Sequence, residues 1–470
     1  MEPWQLPATD LVAELRARRL SAVEVLDSIR ARADLVEPTL NPFAIRLDER
    51  AHLAALAADE AIRQGDAGPL AGIPVTIKDS HWLAGVESPA GSVAKAGFVP
   101  HETSGAVARL ESAGAVIFAT TTTSELCYFG IAETLLNGRT SNPWDPSRTC
   151  GGSSGGAAVA VAVGAGPLAL GGDGGGSIRI PSAFCGTVGF KPTFGAVPRE
   201  PSSPGWKSLV SLGPMGRTVA DVRLALGSLA GMHPRDRHSI DVTGLDRPVP
   251  HLSEVRAVVS EDLGHAPVDD DVRRAFRSAV DRLADDGLIT IEASPGLPSS
   301  VKVWAAIAAA DAWHADGRDF EDKEPLLTAA AADFLRFGSE ITAADYVQAN
   351  YRREEIHHAY VALLHENSAD VLLTPTVGCE AFPHGRLFPE QIGGVPTTLP
   401  WTDWAGFSYD ANLAGLPACA LPIGFGDDGL PVSMQVLGPR ATDGTVLAVT
   451  EAFERSLGDL ARPPEGKWTS

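Results

Sequence analysis

Three serines on glycine-rich turns, Ser153, Ser154 and Ser177, are the residues of this chain best suited to chemistry. They lie in GGSSGG (151–156) and GGDGGGSIRIP (171–181), with 24 residues from Ser153 to Ser177. Glycine removes the Cβ barrier, so such turns let backbone approach a ligand closely. Consecutive N–H groups at Gly174, Gly175, Gly176 and Ser177 can converge on one oxygen, as an oxyanion hole requires. A serine hydroxyl attacks a carbonyl only beside a base. Lys78 is a candidate: only seven of the 38 basic residues are lysines, and this one ends an apolar strand expected at Ile73 to Ile77 in GPLAGIPVTIKDS (68–80). A lysine acts as a base only when neutral, so its pKa must fall from about 10.4 toward neutrality, which burial can supply. Local sequence equally allows Lys78 to point outward at a sheet edge or to pair with Asp79.

The elements that must hold these residues can be read from periodicity. The run after GGSSGG alternates Ala and Val with no polar face, which predicts a buried helix beginning at Ser154 and Gly155 with its free N–H groups and positive dipole end toward the serines. Val107 to Gly114 reads as a helix and Ala115 to Ala119 as a strand, an alternation that implies parallel strands. Residues 9–36 carry two amphipathic patterns, the second opened by Ser21 with Glu24 as a capping box, and 48–63 continue the helical period. A loop and then a helix (Val219 to Leu229) occupy 196–232, and Pro and charges at 233–247 mark a linker. Residues 251–370 read as mostly helical, including Asp269 to Asp285 and Ala344 to Asn367, and buried strands return at 371–376, 418–425 and 434–438. The expected fold is α/β, a mixed, mostly parallel central sheet covered by helices on both faces. It forms one domain over 1–470: an N-terminal helical cover (1–66), a catalytic core (67–232), a variable, mostly helical insertion (233–370), and C-terminal core strands with a substrate loop (371–470). Cys127, Tyr128 and Phe129, and the aromatic loop with Trp401 and Trp404, either wall a substrate pocket or pack as cover.

Composition narrows the function. A formal charge of −21 and a pI near 4.9 argue against a nucleic-acid surface, which needs clustered Lys and Arg. The acidic start MEPWQLPATD lacks the regions of a signal peptide, and the longest apolar stretch, Ala157 to Leu170, is too short to span a bilayer. Five scattered cysteines without a C-x-x-C pair read as reduced thiols, so the expected place is the cytoplasm, unanchored. His357 and His358 are adjacent and share no helical face, so no metal site is expected. Gly151 to Gly155 satisfies G-x-S-x-G, but that elbow needs a strand immediately before it, where Pro143 to Cys150 reads as a loop. Phosphate-loop and dinucleotide fingerprints are missing from the sequence.

GGSSGG followed by DGGGSIRIPSAFCGTVGFKPT (173–193) resembles the signature of the amidase signature family, and IPVTIKD (73–79) resembles its lysine motif. NPWDP (142–146), LLTPT (372–376), NLAGLPACALPIG and GLPVSMQVLG extend the resemblance over nearly the whole chain. The resemblance implies the amidase signature fold and an amidohydrolase with a Ser-Ser-Lys triad: Ser177 as nucleophile of an acyl-enzyme, Ser153 after a cis peptide as proton bridge, Lys78 as base. It further implies that Ser154 and Asp173 orient the network, that Arg179 supports it, and that neither metal nor organic cofactor is required. Cys150 stands where the family usually has proline, and Gly174 where it usually has threonine or isoleucine. The expected substrate is a small-molecule or peptide amide, with no nucleic acid and no membrane, and with a homodimer left open. Two other functions carry related sequences. One is the glutaminase (A) subunit of a tRNA-dependent amidotransferase, against which Ala119 and a run of threonines replace the usual Gly-Lys-Thr-Asn. The other is a catalytically inactive amidase-like binding protein.

Overall fold

The computed structural model describes residues 1–296, 299–397, 403–458 and Trp468. An eleven-stranded sheet runs through it, in the spatial order Phe43–Arg46, Val116–Thr121, Pro74–Lys78, Leu168–Asp173, Ser211–Gly216, Val188–Lys191, Ala418–Phe425, Pro431–Leu437, Val371–Pro375, Arg256–Val259 and Ile289–Glu292. The sheet is mixed and flanked by helices. Its parallel contacts lie in two wings: Val116–Thr121, Pro74–Lys78 and Leu168–Asp173 on one side, and Val371–Pro375, Arg256–Val259 and Ile289–Glu292 on the other. The strands between the wings pair antiparallel, as does the edge strand Phe43–Arg46.

Both faces of the sheet are covered. Side chains alternate across a strand, and here the alternation divides two apolar cores. Val371 and Leu373 enter one core and Leu372 the other, as do Ala257 and Val259 against Val258. The first core is completed by the helices Ala22–Leu40, Gly155–Val163, Val219–Leu229 and Asp443–Leu457, the second by Val301–Asp316, Ala329–Glu340 and Ala343–Glu366.

Several elements follow local rules. Ser21 opens Ala22–Leu40, its hydroxyl accepting from Glu24 N at 3.2 Å while Glu24 accepts from Ser21 N at 2.8 Å. The Ala/Val run forms the Gly155–Val163 helix with every residue buried, but the helix stops sooner than the apolar run does. Gly164 caps it in the left-handed region (φ 78°), and after Pro167 the chain becomes the Leu168–Asp173 strand. Several strands escape the periodicity reading. Phe43–Arg46 adds an edge strand to the N-terminal cover, and Arg256–Val259 and Ile289–Glu292 make residues 233–370 part of the sheet. Val188–Lys191 is short with a glycine inside it, and Ser211–Gly216 holds glycines and a proline, so neither gives a clear β-propensity signal. The last of these replaces part of the loop expected over 196–232.

Candidate active site

Parallel pairing places the catalytic candidates together. Pro74–Lys78 and Leu168–Asp173 are neighbours in parallel register, Ile77 opposite Leu170, so Lys78 and the turn after Asp173 leave the sheet at the same edge. A crevice outside the carboxyl ends of parallel strands is where open α/β sheets bind ligands. Here Lys78 is 2 % exposed and its Nζ lies 2.6 Å from Ser153 Oγ and 3.3 Å from the Gly172 carbonyl. Burial lowers the pKa of Lys78, against the opposing pull of Cys127, Asp173 and Asp79. The alternative pairing with Asp79 is not made. Asp79 turns away to accept from Gly91 N at 2.8 Å, and burial pushes its carboxyl up to about 7.

The two glycine-rich turns are tied to each other. Ser154 N donates to the Ser177 carbonyl at 3.0 Å, and the Ser154 hydroxyl lies 3.3 Å from both the N–H and the carbonyl of Gly172. The Gly152–Ser153 peptide is cis. Residues 142–150 before it form turns and isolated bridges, with no strand of the kind a nucleophile elbow requires.

Asp173 and Arg179 hold the second turn from beneath. Both are fully buried, and Asp173 accepts from Arg179 Nε and Nη2, each at 2.9 Å, from Gly176 N at 2.7 Å, from Ile178 N at 3.1 Å and from Asn412 Nδ2 at 3.0 Å. Burial alone would raise the Asp173 pKa, but the charge and hydrogen bonds of Arg179, with Lys191 nearby, hold it well below the usual carboxylate range. Arg179 in turn donates to Gln435 Oε1 and Asn412 Oδ1, each at 2.6 Å, so the C-terminal strands reach under the turn. This corrects the proposed oxyanion donors. Gly176 N–H is spent on Asp173, whereas among the described residues the N–H groups of Gly174, Gly175 and Ser177 have no protein acceptor. Gly176 still requires glycine, because φ is 116° and a Cβ would press on Ser408.

Lys78, Ser153, Gly174 and Ser177 line one cleft. Its walls come from distant segments: Trp82, Cys127, Tyr128, Trp206, Lys95 and Asp316. Tyr128 stacks on Trp206 (centroids 5.5 Å apart) and donates its hydroxyl to Asp316 at 2.5 Å, while Lys95 pairs with the other Asp316 oxygen at 2.6 Å. Arg199 shapes the 202–206 loop, donating to the carbonyls of Ser203, Gly205 and Trp206. The departure at Gly174 has a cause: a Cβ there would stand 2.5 Å from the Trp206 ring, so the glycine makes room for the indole.

Of the residues expected to wall the pocket, Cys127 and Tyr128 line the cleft. Phe129 sits behind, edge-on to Tyr128. Trp404 is corrected to a packing residue: it is buried, stacked on Phe184 and edge-on to Phe382, and is not among the residues that line the cleft. Trp401 lies outside the described residues. Sequence reading missed Trp82, Trp206, Asn412 and Gln435, because only the folded sheet brings their segments to the cleft or beneath it. NLAGLP and SMQVL were visible as motifs, but nothing in them names Arg179 as the partner.

The mixed, helix-flanked sheet is the fold of the amidase signature enzymes, hydrolases of carbon-nitrogen bonds. Residues 24–447 match the Amidase family, and the chain belongs to it. It is 34 % identical over 492 aligned positions to the A subunit of the glutamyl-tRNA(Gln) amidotransferase of Carboxydothermus hydrogenoformans, covering 97 % of this chain and 98 % of that one. The corresponding protein of Prochlorococcus marinus is similar at 34 % over 97 % and 98 % of the two chains. Among solved structures, a bacterial aryl acylamidase of the amidase signature enzymes superposes with TM-score 0.88 at 26 % identity, covering 96 % of each chain. The glutamyl-tRNA(Gln) amidotransferase chain of the same kind from Thermotoga maritima superposes at 0.80 and 25 % identity, over 98 % of each chain. No described helix is long and apolar enough to cross a membrane.

Proposed function

We propose that this cleft hydrolyses a carboxylic amide through an acyl-enzyme on Ser177, with Ser153 as proton relay and Lys78 as general base. The observation that carries the reading is the 2.6 Å hydrogen bond between buried Lys78 and Ser153 on the wall of the cleft that Ser177 also lines. Ser177 Oγ attacks the carbonyl carbon and gives its proton to Ser153, as Ser153 passes its own to the neutral Lys78 amine. The oxyanion rests on the N–H groups of Gly174, Gly175 and Ser177. When the C–N bond breaks, the leaving nitrogen takes a proton back from Ser153, and Lys78 returns to the neutral amine. Water then attacks the ester along the same proton path and releases the acid. Ser154, Asp173 and Arg179 keep the two turns in register. No nucleic acid or membrane enters this reading, and the five free thiols support a cytoplasmic location.

Two substrate readings are each favoured by an observation. The aromatic walls, Trp82, Tyr128 and Trp206, suit an aryl or apolar amide, acted on by the chain alone. Full-length similarity to the A subunits of amidotransferases speaks more directly for a glutaminase that works within a larger assembly on tRNA-linked chemistry. A panel of aryl amides, peptide amides and glutamine decides between them, read by intact mass of the trapped acyl-enzyme with Ser177→Ala and Lys78→Ala controls. Ammonia release from glutamine only in the presence of partner proteins selects the glutaminase. Failure of Ser177 to label with a fluorophosphonate leaves an inactive binding protein.

A further inference from the structure

Two polar side chains of the cleft wall outside the proton path, His81 and Ser104, each carry a buried atom with no hydrogen-bond partner among the described residues. His81, three residues beyond Lys78, is 7 % exposed, and its Nε2 has no hydrogen-bond partner among the described residues. Its ring lies against Gly172, where a Cβ would come within 3.2 Å of Cε1 and 3.7 Å of Nε2. Ser104 is 1 % exposed and stands at the N-cap of the Gly105–Ser112 helix, yet its hydroxyl does not cap that helix and is also unpartnered. The two are joined through Trp82, whose carbonyl accepts from Ser104 N at 2.9 Å, and both line the cleft. Several other polar groups of this wall are already engaged: Lys95 and Tyr128 with Asp316, Arg199 with the loop carbonyls, and Ser203 with the Trp82 indole.

We propose that His81 Nε2 and Ser104 Oγ form a polar subsite that binds a neutral hydrogen-bond donor of the substrate, an O–H or N–H group separate from the scissile amide. Burial keeps the imidazole neutral, its pKa pushed down to about 3. With the ring proton on Nδ1, the unpartnered Nε2 presents a lone pair, which accepts from a donor and repels a carboxylate. The Ser104 hydroxyl rotates to donate or accept, so the pair holds a hydroxyl or amide N–H better than an ether of the same shape.

This inference rests on the reading of the cleft as an amide-hydrolysing site. Matched aryl amides test it, each with a hydroxyl on the acyl or the amine ring and its methoxy counterpart, assayed with parent protein, Ser104→Ala, His81→Leu and His81→Gln. In the parent, at least one hydroxyl amide is expected to exceed its methoxy partner in kcat/KM by about tenfold or more, because a site built around polar partners rejects an analogue that leaves them unpaired. The ratio should collapse toward one in His81→Leu, fall in Ser104→Ala, and be partly kept in His81→Gln, whose amide reaches the Nε2 position. Fluorophosphonate labelling of Ser177 is run on every variant and reports a folded site. Labelling with hydroxyl-to-methoxy ratios unchanged by all three substitutions overturns the subsite alone, whereas a parent that neither labels nor turns over any amide overturns both readings.

Discussion

Replacing Asp173 by Asn tests whether the turn below Ser177 is held by charge. The substitution keeps the side-chain shape but removes the negative partner of Arg179, leaving a fully buried guanidinium with only neutral acceptors, Gln435 and Asn412 among them. It also sets an NH₂ group against donors at Gly176, Ile178 or Arg179, since both Asp173 oxygens accept. Removing one partner of a buried ion pair costs about 3–5 kcal/mol. With an unfolding entropy of ~2.1 cal/mol/K per residue, 470 residues give ~1 kcal/mol/K, so the loss reads as a fall in Tm of about 3–5 °C. Released from Asp173, the turn no longer fixes its N–H donors, and kcat should drop about 10²-fold, the scale of losing one oxyanion donor. The pH dependence follows by linkage. Asp173 has a depressed folded pKa, so its contribution is present above the unfolded value of ~3.9 and is lost as pH falls toward the folded one. The parent should therefore lose stability in acid more steeply than Asp173→Asn. Thermal melts from pH 2 to 7 and steady-state kinetics measure both effects. A variant within 1 °C of the parent at pH 7 and within threefold in kcat refutes the argument.

Lys78→Met should lower kcat/KM by about 10²–10⁴ or more while leaving Tm unchanged or higher, because a base is lost and an amine is no longer buried. In the parent, kcat/KM should rise with pH as Lys78 loses its proton, and a flat profile in stopped assays counts against it as the base. Lys191 is also buried, its Nζ donating to the Pro192 carbonyl at 2.9 Å, with a pKa lowered to about 7. Between about pH 7 and the unfolded value near 10.4 the unfolded state binds the extra proton, so stability rises with pH by up to about 1.4 kcal/mol per unit. Denaturant melts of Lys191→Met should show that rise diminished. Gly174→Thr should overpack against Trp206 and destabilise by about 1–3 kcal/mol, and adding Trp206→Ala should recover part of it. Strict additivity in the double-mutant cycle would mean that the two residues do not compete for space.

What the sequence by itself determined is local. Glycine clusters at 151–156 and 171–176 mark where backbone must turn tightly, the strand before Lys78 marks a lysine headed for burial, and Ser21 with Glu24 marks a helix start. Each depends on neighbours within a few residues, and each motif stays where its turn or strand is. Tertiary structure decided the rest. Whether Lys78 met Asp79 or Ser153 depended on the parallel register of Pro74–Lys78 with Leu168–Asp173, set by pairing between segments far apart in the chain. Which glycine N–H groups stay available depended on Asp173 turning back onto Gly176, and on Arg179 being anchored by Asn412 and Gln435. The cleft walls depended on Trp206 filling the space left at Gly174, while Trp404 found Phe184 and Phe382 instead. Aromatic residues read alike in sequence whether they line a cleft or fill a core, because burial of the ring drives both, and only the packed sheet separates them.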